Sequence, residues 1–154
     1  RTEVGSNVLL MASTHVAHDC LVGDNVIMSN LATLGGHVQI GNWAILGGGV
    51  LVHQFTQIGE HSLIGGGFRA VQDVPPFIIA ANHPLEYKGV NTVGLKRRGF
   101  SKKDMDLIKK VYKVFFRSGG NRKTAIEKIE SELPKTKVTQ KILDFIKYSN
   151  RGII

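Results

Sequence analysis

The side chains in this sequence best suited to moving protons are its histidines, and four of the six fall into a spatial pattern. His15, His18, His37 and His53 meet if the chain returns on itself about every 18 residues. At that spacing His18 stacks over Gly36 and Gly36 over Gln54, while Asp19 stacks over His37 and His37 over Phe55. Ala17, Gly35 and His53 form the column beside them, and His15 lies on the same turn as His18. The patch of His15, His18, His37, His53 and Gln54 would be about three rungs tall, ~10 Å at the inter-strand spacing. Three explanations are open. Single exposed histidines are often just tolerated at corners. Three such ligands could hold zinc. The third is acid–base chemistry: histidine exchanges protons near neutral pH, and Asp19 would fix its tautomer and stabilise the imidazolium. Clustered titratable groups more often mark a site, which favours this third explanation. Adjacent residues of a straight strand point to opposite faces, so a partnership of His18 with Asp19 requires a corner at 18–19. Gly36 beside His18 leaves a backbone N–H unshielded, the geometry of an oxyanion donor, although corner geometry alone would also call for glycine.

The element that returns the chain at this interval is written in a six-residue repeat. Val4, Leu10, Val16, Val22, Met28, Leu34, Ile40, Leu46, Val52, Ile58 and Ile64 are all aliphatic and strictly spaced. Glycine follows in seven of the eleven hexads, and the fifth place is small or β-branched in most, from Val8 and Thr14 to Thr56 and Ser62. A helix needs spacings of three and four, and a sandwich needs turns at irregular intervals. A period of six fits a parallel β-helix with three flat faces, each hexad giving one short strand and one corner. The aliphatic residue fills the prism, and the glycine after it is expected to make the tight corner at positive φ.

The frame runs to Ala70 and is broken by Asp73-Val74-Pro75-Pro76, since proline cannot donate to a ladder. Residues 1–73 are therefore read as the β-helix, 74–100 as a connector loop, and 101–154 as a helical domain of about three helices. Ser101 would cap the first, with Met105, Ile108, Val111, Val114 and Phe115 on one stripe and Gly119-Gly120 closing it. The second covers about 123–133 and the third about 139–148, with Ile126, Ile129, Leu133, Ile142, Phe145 and Ile146 expected to pack together.

Charge divides the chain at the same place. Residues 1–73 carry two basic and five acidic side chains and the rest 18 and seven, so the helical half alone would attract an acidic partner or present a solvated lysine surface. That half lacks the interleaved aromatics of a nucleic-acid stacking platform. No apolar run is long enough to span a membrane, and no signal peptide is expected at RTEVGSNVLL. The single Cys20 excludes an internal disulfide framework and suits a reducing, cytoplasmic compartment. A start at Arg1 in the middle of the repeat suggests a fragment of a longer chain.

THVAHDC (14–20), ATLGGHV (32–38), VHQF (52–55), QDVPP (72–76) and GVNTVGLKRRGF (89–100) occur in order. Together they resemble the UDP-N-acetylglucosamine O-acyltransferases, hexapeptide-repeat enzymes that begin lipid A synthesis. The resemblance implies a left-handed β-helix, a homotrimer with active sites between neighbouring β-helices, and transfer of a (3R)-hydroxyacyl group from acyl carrier protein to the sugar 3-hydroxyl of UDP-N-acetylglucosamine. No cofactor, metal, nucleic acid or membrane insertion is implied. Carried over, His18 matches the general base, Asp19 its orienting carboxylate, and Gly36 the residue whose N–H holds the oxyanion. His15, His37, His53 and Gln54 match substrate-pocket positions, and Asn91, Arg97 and Arg98 match residues around the nucleotide and its phosphates. Gly66 matches the floor of the acyl pocket, where glycine leaves the pocket long. His83 falls one residue out of step with a histidine that closes that pocket. Val93 stands where an acidic nucleotide contact is often found, and the front part of the family's β-helix is not represented. A sister hexad acyltransferase on a related amino-sugar nucleotide, or a metal-dependent hexad protein, is the alternative.

Overall fold

The computed structural model describes residues 1–119 and 121–154, so the expected stop at Gly120 lies outside the described residues. The chain divides into two compact units, one of residues 1–91 with 149–154 and one of residues 92–148.

The first unit is a parallel β-helix. Its two-residue strands are β1 (Glu3–Val4), β2 (Leu9–Leu10), β3 (His15–Val16), β4 (Leu21–Val22), β5 (Ile27–Met28), β6 (Thr33–Leu34), β7 (Gln39–Ile40), β8 (Ile45–Leu46), β9 (Leu51–Val52), β10 (Gln57–Ile58), β11 (Leu63–Ile64) and β12 (Arg69–Ala70). They stack in three faces: face A in the order β1-β4-β7-β10, face B beginning β2-β5-β8-β11, and face C in the order β3-β6-β9-β12. Within each strand the second residue turns inward. Val22, Met28, Leu34, Ile40, Leu46, Val52, Ile58 and Ile64 are buried. A second interior column accompanies them, since Cys20, Val26, Ala32, Val38, Ala44, Val50, Thr56 and Ser62 are all fully buried. The small fifth residue of each hexad is thus the filler beside the corner, where the prism has no room for a long side chain.

The glycines work differently from the expectation. The left-handed backbone falls two residues later, at Asn7, Ser13, Asp19, Asn25, Leu31, His37, Trp43, Gly49, Phe55, His61 and Gly67. The glycine after the aliphatic is instead a point of close approach: a Cβ on Gly35 would lie 2.8 Å from the Gln54 amide nitrogen, and Gly41, Gly47 and Gly59 would collide with the next coil in the same way. At these corners the backbone of the next coil fills the space a side chain would take.

The β-helix also continues past the prolines. β13 (Ile78–Ala81) pairs in parallel with β11, and β14 (Glu86–Val90) returns antiparallel to it, so the expected connector loop contains a hairpin that extends face B. Leu63 pairs with Ile79, a step of 16 residues, so the last coil is two residues short. Pro75 and Pro76 are tolerated because the corner amides at these places point toward the next coil, as Gly59 N–H does to Val74 O. The last coil has no coil beyond it, so a missing donor costs nothing. The tail from Ser149 closes this coil. Asp73, fully buried, receives the Gln57 N–H (2.7 Å) on one carboxylate oxygen and the Ser149 hydroxyl (2.5 Å) on the other, and Asp73 bridges to Ile153 in parallel.

The second unit has four described helices: α1 (Thr92–Arg97), α2 (Lys102–Arg117), α3 (Arg122–Glu132) and α4 (Lys137–Tyr148). α1 lies inside the expected connector; a six-residue helix with a buried Gly94-Leu95 pair carries too little periodicity to announce itself. Ser101 caps α2 by accepting the Asp104 N–H at 3.0 Å, and Asn121 caps α3 through the Thr124 N–H at 3.1 Å. The buried stripe of α2 is Leu107, Ile108, Val111 and Tyr112, rotated from the expected one because two helices, α3 and α4, pack against it. Ile129 of α3 and Ile142, Leu143 and Ile146 of α4 are buried, whereas Ile126, Leu133 and Phe145 are only half-buried. No described helix is long and apolar enough to cross a membrane.

Candidate active site

The chemistry-bearing residues gather on the corner that joins face C to face A. Here the chain turns at 18–19, 36–37 and 54–55, and the left-handed φ of Asp19 (+58°) swings its carboxylate back beside the preceding histidine. That φ is unusual for a residue with a Cβ but open to aspartate, which explains how neighbours in sequence become partners. His18 Nδ1 lies 3.0 Å from Asp19 Oδ2. Directly above, the His37 amide donates to the His18 carbonyl at 3.0 Å, and His37 Nε2 stands 3.9 Å from the same carboxylate oxygen. The rings continue as a ladder: His18 meets His37 edge to face with centroids 5.2 Å apart, and His37 stacks on Phe55 at 4.7 Å.

The proton arrangement follows from charge. The hydrogen bond to His18, and more weakly the charge of His37, lower the Asp19 carboxyl below its ordinary value. An ionised carboxylate can only accept, so Nδ1 of His18 carries the proton toward it. In the neutral ring that leaves Nε2 with a free lone pair, the form a general base needs. Gly36 sits against that nitrogen: a Cβ at this position would lie 2.7 Å from both His18 Nε2 and Cε1. Among the described residues the Gly36 N–H has no hydrogen-bond acceptor, so it is available to a ligand's oxygen.

A cleft of about 370 Å³ adjoins this corner on face C, lined by Gly35, Gly36, His53, Gln54, Thr33, Leu51, Arg69 and Val71. His53 is oriented by its neighbour's carbonyl, Nδ1 lying 3.2 Å from Gln54 O. His15 is exposed on the same face, in strand register with Thr33, Leu51 and Arg69. Thr33, Leu51, Arg69 and Val71 were not expected to line a site. The signal that could have found Arg69 is its place 54 residues after His15, three full coils along the outward column.

The remaining expected site residues lie elsewhere. Gly66 stacks on Gly48 at the corner between faces B and C, where a Cβ would stand a tight 3.2 Å from the Gly48 carbonyl oxygen. His83 is exposed in the turn between β13 and β14, at the end of face B. Asn91 is buried, and its amide donates to the His61 carbonyl at 3.0 Å, so one of its polar groups holds the fold at the corner between faces A and B. Arg97 and Arg98 belong to the helical unit, at and just past the end of α1; burial, and then the charge of Arg97, lowers the Arg98 guanidinium. For a metal, His18, Asp19 and His37 offer three ligand atoms within 4.8 Å of one another.

Comparison with known proteins agrees with this architecture. Residues 1–36 match the bacterial transferase hexapeptide (six repeats) family, and residues 73–154 match the Udp N-acetylglucosamine O-acyltransferase, domain 2 family. The chain is 46% identical over 153 residues to an acyl-[acyl-carrier-protein]--UDP-N-acetylglucosamine O-acyltransferase of Aliivibrio salmonicida, covering 99% of this chain and 58% of that one. It is 47% identical over 154 residues to the enzyme of the same name from Syntrophobacter fumaroxidans, covering 99% of this chain and 60% of that protein. A crystal structure of a UDP-N-acetylglucosamine acyltransferase from Bacteroides fragilis superposes with a TM-score of 0.94 at 42% identity, over 96% of this chain and 58% of that one. The chain therefore spans about three fifths of the length of the relatives it matches. One family match runs from the last coil through every helix, and the backbone follows a solved acyltransferase almost throughout: the chain belongs to the UDP-N-acetylglucosamine O-acyltransferase family.

Proposed function

We propose that the protein transfers a (3R)-hydroxyacyl group from acyl carrier protein to the 3-hydroxyl of UDP-N-acetylglucosamine, the first step of lipid A synthesis, in the cytoplasm. The observation that carries the mechanism is the His18–Asp19 contact of 3.0 Å with the other ring nitrogen turned to Gly36. His18 Nε2 takes the proton of the sugar 3-hydroxyl, and that oxygen attacks the thioester carbonyl. The Gly36 N–H receives the tetrahedral oxyanion. The imidazolium, stabilised by Asp19, then gives its proton to the departing thiol as the carbonyl re-forms. His37, His53 and Gln54 hold the sugar, Arg97 and Arg98 grip the nucleotide phosphates, and Gly66 and His83 bound the acyl chain. The His18 side chain is 73% exposed. An acyl transfer so open to water would lose its intermediate, so the reading includes a second wall from a neighbouring copy in a homotrimer.

The test is incubation of the intact protein with a defined 3-hydroxyacyl carrier-protein thioester and UDP-N-acetylglucosamine. The 3-O-acylated sugar nucleotide and free thiol are expected in equal amounts; no product across donor lengths would refute the reading. The three clustered ligand atoms also favour a second reading, a divalent metal at His18, Asp19 and His37. Stoichiometric zinc by elemental analysis, with activity lost to a chelator, would select it.

A further inference from the structure

The tail that closes the last coil returns to the face that bears the cleft. Arg151 donates its Nε to the carbonyl of Val71 at 3.0 Å, and Val71 is a cleft residue two places beyond Arg69, which also lines the cleft. The tail is pinned there from both sides. Asp73 donates its N–H to Gly152 O (2.8 Å) and accepts the Ile154 N–H (3.2 Å), while its buried carboxylate holds Ser149. Gly152 makes the turn at φ +80°, a conformation that favours glycine.

Arg69 thus lines the cleft, and Arg151 is anchored to the backbone of the cleft residue Val71, in a unit whose coils are otherwise net acidic. Among the described residues neither Arg69 nor Arg151 is paired with a carboxylate. The nearest acid in sequence, Asp73, has both oxygens engaged by Gln57 and Ser149. Face C offers no acid in the outward column of His15, Thr33, Leu51 and Arg69. Arginines left unpaired beside a cleft suit an anion with several oxygens, because each planar fork can donate twice.

We propose that Arg69 and Arg151 form a phosphate-binding pair at the upper end of the cleft, and that the closing tail exists in part to deliver the second arginine. The inference deepens the acyl-transfer reading and rests on it for the ligand's sources. Both substrates bring a phosphate: the nucleotide sugar its pyrophosphate, the carrier protein the phosphate of its prosthetic arm. The pair lies in the β-helical unit and is distinct in sequence from Arg97 and Arg98 of the helical unit.

Calorimetric titration of the intact protein separates the outcomes, using UDP-N-acetylglucosamine, 4′-phosphopantetheine and inorganic pyrophosphate as probes at two ionic strengths. Arg69→Gln and Arg151→Gln should each raise Kd for at least one probe roughly tenfold, with the gap narrowing at high salt. The probe most affected identifies the source of the phosphate. Among the described residues Arg69 bonds to no other side chain, so Arg69→Gln can be read even if Arg151→Gln loosens the tail. Unchanged Kd for all probes in Arg69→Gln, or a wild type that binds none of them, overturns the proposal. A lower Tm in Arg151→Gln with unchanged affinity also overturns it, leaving the tail a structural clasp. Transfer is assayed on the same samples: wild-type transfer without the losses of affinity removes the pair alone, and the losses without wild-type transfer remove the acyl-transfer reading alone.

Discussion

Gly36→Ala isolates the positioning of the base. The added methyl would stand 2.7 Å from His18 Nε2 and Cε1. Ordinary carbon contacts begin near ~3.5 Å, so the ring must retreat by roughly 0.8 Å or rotate. Either movement strains the 3.0 Å contact to Asp19 and shifts Nε2 from the place where the hydroxyl proton is taken. Displacement of a reacting group by about 1 Å can cost ~10²-fold, so kcat should fall by about that factor. The backbone N–H of residue 36 survives the change, so the loss reports the base and not the oxyanion donor. Folding should barely respond. Gly36 is not in the left-handed region, and the exposed imidazole can swing into solvent, so stability should change by no more than about 1 kcal/mol. The assay is single-turnover acyl transfer in the intact protein, with a thermal melt beside it. A kcat within about threefold of wild type would refute the argument that Gly36 is kept bare to seat His18.

Gly66→Met should lower kcat/KM for long donors more than for short ones, measured with carrier-protein thioesters of two lengths; equal losses would remove Gly66 from the acyl pocket. Its Cβ would meet the Gly48 carbonyl oxygen at 3.2 Å and the Gly48 nitrogen at 3.6 Å, so the fold should tolerate the change with a shift of a few tenths of an ångström. Reversing Arg97 and Arg98 to Glu should raise KM for the sugar nucleotide steeply at low salt and less at high salt; affinity unchanged at both ionic strengths would remove both from the site. The bond to His18 lowers the Asp19 carboxyl, so its ionised contacts stabilise the folded state at neutral pH and are lost as pH falls through the lowered value. The Tm difference between wild type and Asp19→Asn should therefore be constant near neutrality and shrink on acidification, and a difference that grows on acidification would contradict this sign.

The six-residue spacing made the prism and its corners legible because every coil repeats one packing problem, and strict repetition places residues 18 apart in one column. The convergence of His18, Asp19 and His37 followed from that arithmetic alone. The role of the glycines was not legible. A glycine kept for close approach and one kept for positive φ look alike in sequence, and only the stacked neighbour tells them apart. The prolines misled for a related reason: Pro75 and Pro76 break a ladder wherever a coil follows, and here none does. Arg151 stayed hidden because the tail reaches the last coil through a bridge between Asp73 and Ile153, which no periodicity encodes. Asn91 shows the converse case, a motif residue whose amide is engaged by the His61 carbonyl.

The central claim is that His18 is the base for acyl transfer, and His18→Ala tests it most directly. In the intact protein, kcat for transfer from a 3-hydroxyacyl carrier-protein thioester to UDP-N-acetylglucosamine should drop by ~10²–10⁴ or more, with the thermal midpoint and the sugar-nucleotide Kd nearly unchanged. A variant that keeps near-wild-type kcat would contradict the account.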